Sequence, residues 1–242
     1  MAKMQSLTVL IPAYNEEKLI KKTILSMIQY LNSLRIKFEI IVCINDSTDE
    51  TEEIVMQLSK KYKKLKYFSI NDKGFGIALR EGIERSTKNL ITYMPADDEA
   101  DKDFIRNALK HIKNYDVICG SRYIKGAHQS TTKTFRKFLS ISYAKIIQLF
   151  LSKEFTEFGT IKMFRTDWAK KVVKECKSVH WEFQVEMLYF ALRDKKRIKE
   201  IPINVIYQTE RESKVNVIAD VFSLFKSALK YGIKLRIHQL LH

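Results

Sequence analysis

Five short apolar runs divide the first 120 residues: Leu7–Pro12, Phe38–Ile44, Leu65–Ile70, Leu90–Met94 and Asp116–Gly120. Each of the first four is followed by a stretch of helical periodicity. Leu19, Ile20, Ile24, Ile28 and Leu31 repeat after the first; Glu50–Tyr62 follows the second. Ala78, Leu79, Gly82 and Ile83 follow the third, and Phe104–Ile112 the fourth. The runs are short, rich in branched side chains and nearly unbroken, as buried strands are. Strand and helix in strict alternation predict an α/β fold: an open, mainly parallel (mixed) sheet with helices on both faces. Ligands of such sheets bind beyond the carboxyl ends of the strands. The polar clusters Tyr14–Glu17, Asn45–Asp49, Asp97–Asp103 and Ser121–Arg122 fall at those ends. Asn15 reads as the N-cap of the first helix, with Glu16 and Glu17 at its positive end.

The cluster after Leu90–Met94 stands out chemically. Asp97, Asp98, Glu99, Asp101 and Asp103 crowd together in a chain with 43 Lys+Arg against 28 Asp+Glu. Carboxylates at this density repel unless a cation or a set of donors lies between them. They also suit the amino end of the helix that begins at Phe104. The two readings are compatible.

The second half changes character. The range 133–151 reads as an amphipathic basic helix, Glu157–Arg165 as a strand or hairpin, and Asp167–Lys174 and Phe183–Arg193 as helices. Ile198–Tyr207 is extended and carries Pro202, which predicts an edge strand. Asn216–Leu241 reads as a long helix with Val217, Ile218, Val221, Phe222, Phe225, Leu229 and Ile233 on its apolar side. No repeat or linker interrupts the chain. Residues 1–215 are expected to form one domain, and 216–242 a C-terminal amphipathic basic helix.

Charge narrows the partners. A formal charge of +15 calls for an anion: nucleic acid, a phosphorylated small molecule or an anionic membrane face. No helix-turn-helix, zinc finger or RNP signature is present, which argues against nucleic acid. Cys43, Cys119 and Cys176 have no metal spacing; Cys43 and Cys119 lie in apolar runs and read as small buried hydrophobes in a reducing compartment. The amino terminus has no signal-peptide h-region, and no apolar stretch reaches the length of a membrane span.

The motifs carry a resemblance when taken together. Ile11–Glu17 (IPAYNEE), Ser47–Thr51 (STDET), Lys73–Ala78 (KGFGIA) with Gly82, and Ala96-Asp97-Asp98 resemble, in order, family 2 glycosyltransferases of GT-A fold. Gly120–Tyr123 (GSRY), Gly159–Arg165 (GTIKMFR), Phe183–Glu186 (FQVE) and Glu212–Lys214 (ESK) resemble the dolichyl- or polyprenyl-phosphate hexosyltransferase branch, exemplified by dolichyl-phosphate mannosyltransferases. The resemblance implies a GT-A domain that takes a nucleoside diphosphate sugar, GDP- or UDP-linked. It implies a nucleotide site of Pro12, Ala13, Tyr14, Glu16, Asn45, Asp46, Lys73, Ala96 and Asp97. It implies Mg2+ or Mn2+ held by Asp97 and Glu99, whose hard oxygens suit such ions. Asp97 and Arg122 would be the catalytic pair. Arg122, Arg136, Lys137, Arg211 and Lys214 would grip the donor and acceptor phosphates, as arginine does bidentately.

The chain departs from the family pattern at two places. Ile44-Asn45 stands where an acidic pair is usual. Pro95 replaces the leading carboxylate of the Asp-x-Asp motif, so Asp97 holds the second position alone with Glu99 two residues on. The expected function is transfer of mannose or glucose to a polyprenyl phosphate by a peripheral enzyme on the cytoplasmic face of a membrane. Alternatives are a family 2 enzyme with a glycan or soluble acceptor, using a base such as Glu157, and a non-catalytic phosphate- or membrane-binding relative. Bland local readings also stand: an Asx-type turn at Asn45–Asp49 and a tight turn at Lys73–Gly76.

Overall fold

The computed structural model describes residues 5–96, 101–129, 144–145, 148–149, 151, 155–157, 160–205 and 217–241. Asp97, Glu99, Arg136, Lys137, Arg211 and Lys214 lie outside them, as does most of the helix expected at 133–151.

The elements in order are β1 (Ser6–Ala13), α1 (Ile20–Ser33), β2 (Lys37–Asn45), α2 (Thr51–Lys61), β3 (Leu65–Ile70), α3 (Phe75–Arg85), β4 (Leu90–Tyr93) and α4 (Asp103–His111). Then follow β5 (Val117–Ser121), β6 (His128–Gln129), β7 (Lys162–Arg165), α5 (Thr166–Val173), α6 (Phe183–Arg193), β8 (Ile198–Pro202), β9 (Asn204–Val205) and α7 (Val217–Leu241).

Seven strands form one sheet in the order β3-β2-β1-β4-β7-β5-β8, and β6 pairs with β9 in a two-stranded ribbon. All neighbours in the large sheet are parallel except β7, which runs antiparallel to β4 and β5. The mainly parallel α/β sheet expected from the alternation is therefore present, mixed through β7. Crossover helices cover both faces, so Leu7, Thr8, Val9, Leu10 and Ile11 on consecutive positions of β1 are all buried. Gly82 lets α3 lie against the sheet: a Cβ there would sit 2.8 Å from the Cys43 Sγ. The three cysteines are free and buried.

β8 closes the sheet as its edge strand, with Pro202 opposite Ser121. A proline has no N–H to give a further ladder, so its position there costs nothing.

Three local expectations are corrected. First, α1 starts at Ile20, not after Asn15. Asn15 adopts a left-handed conformation (φ 52°), and its side chain bonds to the neighbouring loop instead of capping the helix. Second, among the described residues of Glu157–Arg165, the strand is Lys162–Arg165. The backbone N–H groups of Thr156 and Glu157 are taken by the Glu200 carboxylate, so that part of the segment forms no ladder. Third, from Phe225 onward the buried side of α7 is turned relative to the predicted apolar stripe; the side chains of Val217, Ile218, Val221 and Phe222 lie outside the description. Ala228, Tyr231 and Leu235 are buried, while Ile233 is exposed together with Ile237, Leu240 and Leu241. The described part of the extended segment Ile198–Tyr207 forms β8 and β9, with Ile203 between them donating its N–H to Ser121 O at 3.1 Å.

Candidate functional site

The loops after β1 and β2 are joined by side chain-to-backbone bonds in both directions. Asn15 N–H donates to Ser47 Oγ at 3.1 Å, and Thr48 N–H donates to Asn15 Oδ1 at 2.7 Å. Glu16 N–H donates to Thr51 Oγ1 at 2.7 Å, and Glu17 N–H to Asp49 Oδ2 at 3.1 Å. Glu50 N–H returns a bond to Glu17 Oε2 at 3.1 Å. Asp49 also accepts from the N–H and hydroxyl of Thr51, at 3.0 and 2.5 Å. The polar residues that read as two separate turns are one frame. Asn15 and Asp46, both with φ 52°, supply the left-handed corners that asparagine and aspartate tolerate best.

Asn45 extends this frame to the third loop. It ends β2 and is buried. With its amide oriented to satisfy both neighbours, Asn45 donates to Ala13 O at 2.5 Å and accepts from Gly74 N–H at 3.3 Å. One side chain thus sets the spacing of the loops after β1, β2 and β3. In the sequence, Asn45 was read for direct contact with a base or for an Asx turn. In the structure it joins backbones.

Tyr14 and Lys73 meet across these loops. Lys73 Nζ donates to Tyr14 Oη at 2.9 Å and lies 4.1 Å from the ring centroid. Lys73 is exposed and Tyr14 partly so. A cation on an aromatic face beside a backbone turn presents both a stacking surface and a positive charge to solvent. Pro12 and Ala13 complete the carboxyl end of β1, where Ala13 is buried.

Gly74 and Gly76 have a structural use. A Cβ on Gly74 would lie 2.6 Å from Val179 O, and one on Gly76 2.6 Å from Ser178 O. Gly76 N–H donates to Val179 O at 2.7 Å, and Ile77 N–H to the same oxygen at 3.3 Å. The close backbone approach that these glycines permit is to the segment 178–180. Phe75 between them stacks on Trp181, with centroids 4.1 Å apart, and meets Tyr93 edge-on at 6.0 Å.

β4 carries the chain to the acidic cluster. Ala96 is buried, and its carbonyl accepts from Thr23 Oγ1 of α1 at 2.7 Å. The residue just before Asp97 is therefore pinned to the first helix. Beyond the cluster, Asp101 accepts from Asp103 N–H at 2.8 Å and from Asn204 Nδ2 at 3.0 Å. Among the described residues, no three His, Cys, Asp or Glu side chains converge as a metal centre. Asp97 and Glu99 lie outside that set. Carboxylate oxygens are the donors that hard divalent ions take, and Ala96 is the anchored residue from which the chain enters the cluster.

At the far side of the sheet, Arg122 follows β5 and is held by Glu157. Arg122 Nε donates to Glu157 Oε1 and the Arg122 N–H to Glu157 Oε2, both at 2.6 Å; an Nη2 contact completes the grip. Glu157 is 3% exposed. Glu200 on β8 orients this segment through Thr156 N–H, Thr156 Oγ1 and Glu157 N–H. A buried carboxylate, Glu157, with the half-buried Glu200 behind it, thus fixes one arginine.

Sequence reasoning missed the group between these two sides. Lys162 opens β7 and is 0% exposed. Its ammonium donates to Thr160 O at 2.8 Å, to Gln184 Oε1 at 2.9 Å and to Tyr93 Oη at 3.4 Å. Burial pushes the Lys162 pKa down to about 8; Cys119, Glu157 and Glu200 partly oppose this. Tyr93 is the last residue of β4, so Lys162 ties the strand leading to Asp97 to α6 and to the 160 turn. The only sequence signal was its place within Gly159–Arg165.

A family model described as glycosyl transferase family 2 matches residues 8–173, more than half of the chain. Among curated proteins, the chain is 24% identical over 229 residues to glycosyltransferase AglD of Haloferax volcanii, covering 92% of this chain and 36% of that protein. It is 27% identical over 211 residues to dolichyl-phosphate beta-glucosyltransferase ALG5D of Trichomonas vaginalis, covering 80% of this chain and 64% of that protein. The chain therefore spans about a third to two thirds of the length of these relatives. Among solved structures, glucosyl-3-phosphoglycerate synthase of Mycobacterium tuberculosis, solved with Mn2+, UDP and phosphoglyceric acid, superposes with a TM-score of 0.69 at 13% identity. That match covers 94% of this chain and 78% of the other. S. aureus TarS, solved with UDP-GlcNAc, superposes with a TM-score of 0.61 at 16% identity, covering 96% and 70%.

Proposed function

The chain belongs to glycosyl transferase family 2, and from that premise we propose that it transfers a hexose from a nucleoside diphosphate sugar to a polyprenyl phosphate, with inversion at the anomeric carbon. The observation that carries the donor half is the three-loop frame joined by Asn45, with Tyr14 and Lys73 facing solvent at its rim. In this reading Pro12, Ala13, Tyr14 and Glu16 receive the nucleoside, with Asn45, Asp46 and Ala96 fixing the backbone around it. Lys73 leans toward the phosphates. Asp97 and Glu99 would hold Mg2+ or Mn2+, which would supply positive charge opposite the diphosphate. The two solved neighbours bind UDP or a UDP-sugar, and one of them Mn2+, which supports UDP over GDP and a divalent ion.

The acceptor half rests on Arg122, with Arg136, Lys137, Arg211 and Lys214 as the further cations. A phosphate oxygen of the acceptor attacks the anomeric carbon as the bond from that carbon to the diphosphate breaks. That oxygen is already ionised near neutral pH, so no protein base is needed. Glu157 suits this reading, because both of its oxygens are engaged by Arg122. The names of the dolichyl-phosphate relatives support a lipid phosphate as acceptor.

No helix among the described residues is long and apolar enough to cross a membrane. The outward side of α7 carries Ile233, Ile237 and Leu240 between the cations Lys226, Lys230 and Arg236, all exposed. Such a face suits an anionic lipid surface and supports peripheral attachment at the cytoplasmic side.

Calorimetry tests the donor reading: UDP-glucose is expected to bind in the presence of Mn2+, and more tightly than GDP-mannose. Failure of every nucleotide sugar to bind, with either metal, would sink it. Transfer of the sugar to a short polyprenyl phosphate, but not to a free sugar, separates the lipid acceptor from a glycan one.

A further inference from the structure

Glu186 is a charged side chain of α6 that the proposed chemistry does not use. It is 2% exposed, and its carboxylate is held from two places in the fold. From one side, Lys177 N–H donates to both carboxylate oxygens at 3.0 and 3.1 Å, and Ser178 N–H donates to Oε2 at 2.9 Å. From the other, the hydroxyl of Tyr231 donates to Oε1. Tyr231 lies on α7, is buried, and packs against Tyr189 of α6 with centroids 5.1 Å apart.

The segment held this way is the one behind the glycine loop. Two residues after Lys177, Val179 O accepts from Gly76 and Ile77. The carbonyls of Ser178 and His180 lie where a Gly76 Cβ would need to be, and Trp181 stacks on Phe75. Lys73 stands just before this loop. A continuous path therefore runs from Tyr231 to Glu186, to the backbone at 177–178, to Val179 O, and to the loop that carries Lys73.

We propose that Glu186 and Tyr231 are positioning residues for the donor site: the C-terminal helix sets where the Lys73–Gly76 loop stands, through the strap at 177–181. The donor half of this proposal rests on the function proposed above; the mechanical half does not. A carboxylate that gathers two backbone N–H groups fixes the strap, and a neutral hydroxyl donor delivered by α7 completes its bonding. Removing that hydroxyl leaves a buried carboxylate oxygen short of a donor, so the strap loosens without any change in the apolar packing of the Tyr231 ring.

The test uses the full chain and two readouts. Tyr231→Phe keeps the ring and deletes the hydroxyl. Hydrogen exchange at the Gly76 and Ile77 amides is expected to accelerate at least about tenfold in this variant, while the Thr48 and Glu17 amides across the site keep their wild-type rates. Thr87→Ala, which removes a bond to Glu39 far from the strap, serves as a control for general loss of stability; it is expected to leave Gly76 and Ile77 unchanged. UDP binding in Mn2+ is expected to weaken about tenfold in Tyr231→Phe, and Glu186→Gln to weaken it further.

Unchanged exchange at Gly76 and Ile77, or equal acceleration in the control, would overturn the coupling. Faster exchange with unaltered UDP affinity would overturn the positioning role. If the wild type fails to bind UDP, the donor reading falls and takes the positioning role with it, whereas the exchange result still decides the coupling.

Discussion

Glu157 holds Arg122 by backbone and side chain at once, taking the residue's own N–H and its Nε–H at 2.6 Å each. The two bonds fix both where the chain turns and where the guanidinium points. If Arg122 grips a phosphate, Glu157 decides the direction of approach. Glu157→Gln keeps the shape but loses the charge that orients the arginine. It is expected to cut transfer more than about tenfold and to lower the melting temperature, because a buried charge then lacks its partner. Steady-state kinetics with varied acceptor phosphate, beside a thermal melt, check this; wild-type kinetics would detach Arg122 from the acceptor.

Asp97→Asn is expected to abolish transfer while leaving the far-ultraviolet circular dichroism unchanged. Pro95 leaves no other carboxylate in the leading position of that motif. Turnover close to wild type would refute the assignment of Asp97.

Glu39 sets an acid limit to stability. Burial raises its pKa, but bonds from Lys66, Thr87 and Thr8 outweigh this and bring it down to about 2. A carboxylate with a lowered folded pKa contributes stability above its ordinary value of 4.5, and that contribution is lost as pH falls toward 2. The span corresponds to about 3 kcal/mol. Glu39→Gln is expected to be less stable than the wild type at pH 7 and to show a flatter decline between pH 4.5 and 2 in urea titrations. Parallel curves would show that Glu39 is not the group responsible.

Lys162 acts at the other end of the scale with the opposite sign. Its folded pKa of about 8 lies below the ordinary 10.5, so the unfolded chain holds more protons between those values. Stability relative to a variant without the lysine is therefore expected to rise across that window, by about 3 kcal/mol in full. Comparing wild type with Lys162→Met at pH 7.5 and pH 10 isolates the effect from other titrating groups. A constant difference between the two proteins would contradict it.

Gly76→Ala is expected to destabilise by about 1–3 kcal/mol, since its Cβ would meet Ser178 O at 2.6 Å and His180 O at 2.9 Å, both of them backbone atoms. Chemical denaturation measures this. A neutral outcome would mean that the strap yields more easily than its bonding implies.

The sequence told most where side chains answer to their own element. The unbroken apolar runs identified the parallel strands, and Phe183–Arg193 was bounded correctly from periodicity alone. Asn15 misled, because its partner lies in another loop: Thr48 is 33 positions away, and no local rule connects them. Lys162 was hidden for a topological reason. In Lys162–Arg165 a charged residue beside Met163 and Phe164 suggests one wet face, but β7 is inserted between β4 and β5 in mid-sheet, so both faces are covered. The bond between Tyr231 and Glu186 spans 45 positions and two helices, and each residue reads as ordinary within its own helix.

The reciprocal bonds between the loops after β1 and β2 have a thermodynamic consequence. A rim whose corners are already held by Ser47, Thr48, Asp49 and Thr51 has little disorder left to lose when a ligand arrives. Association at this end of the site should carry a small ordering cost, and affinity there should follow surface fit more than loop closure.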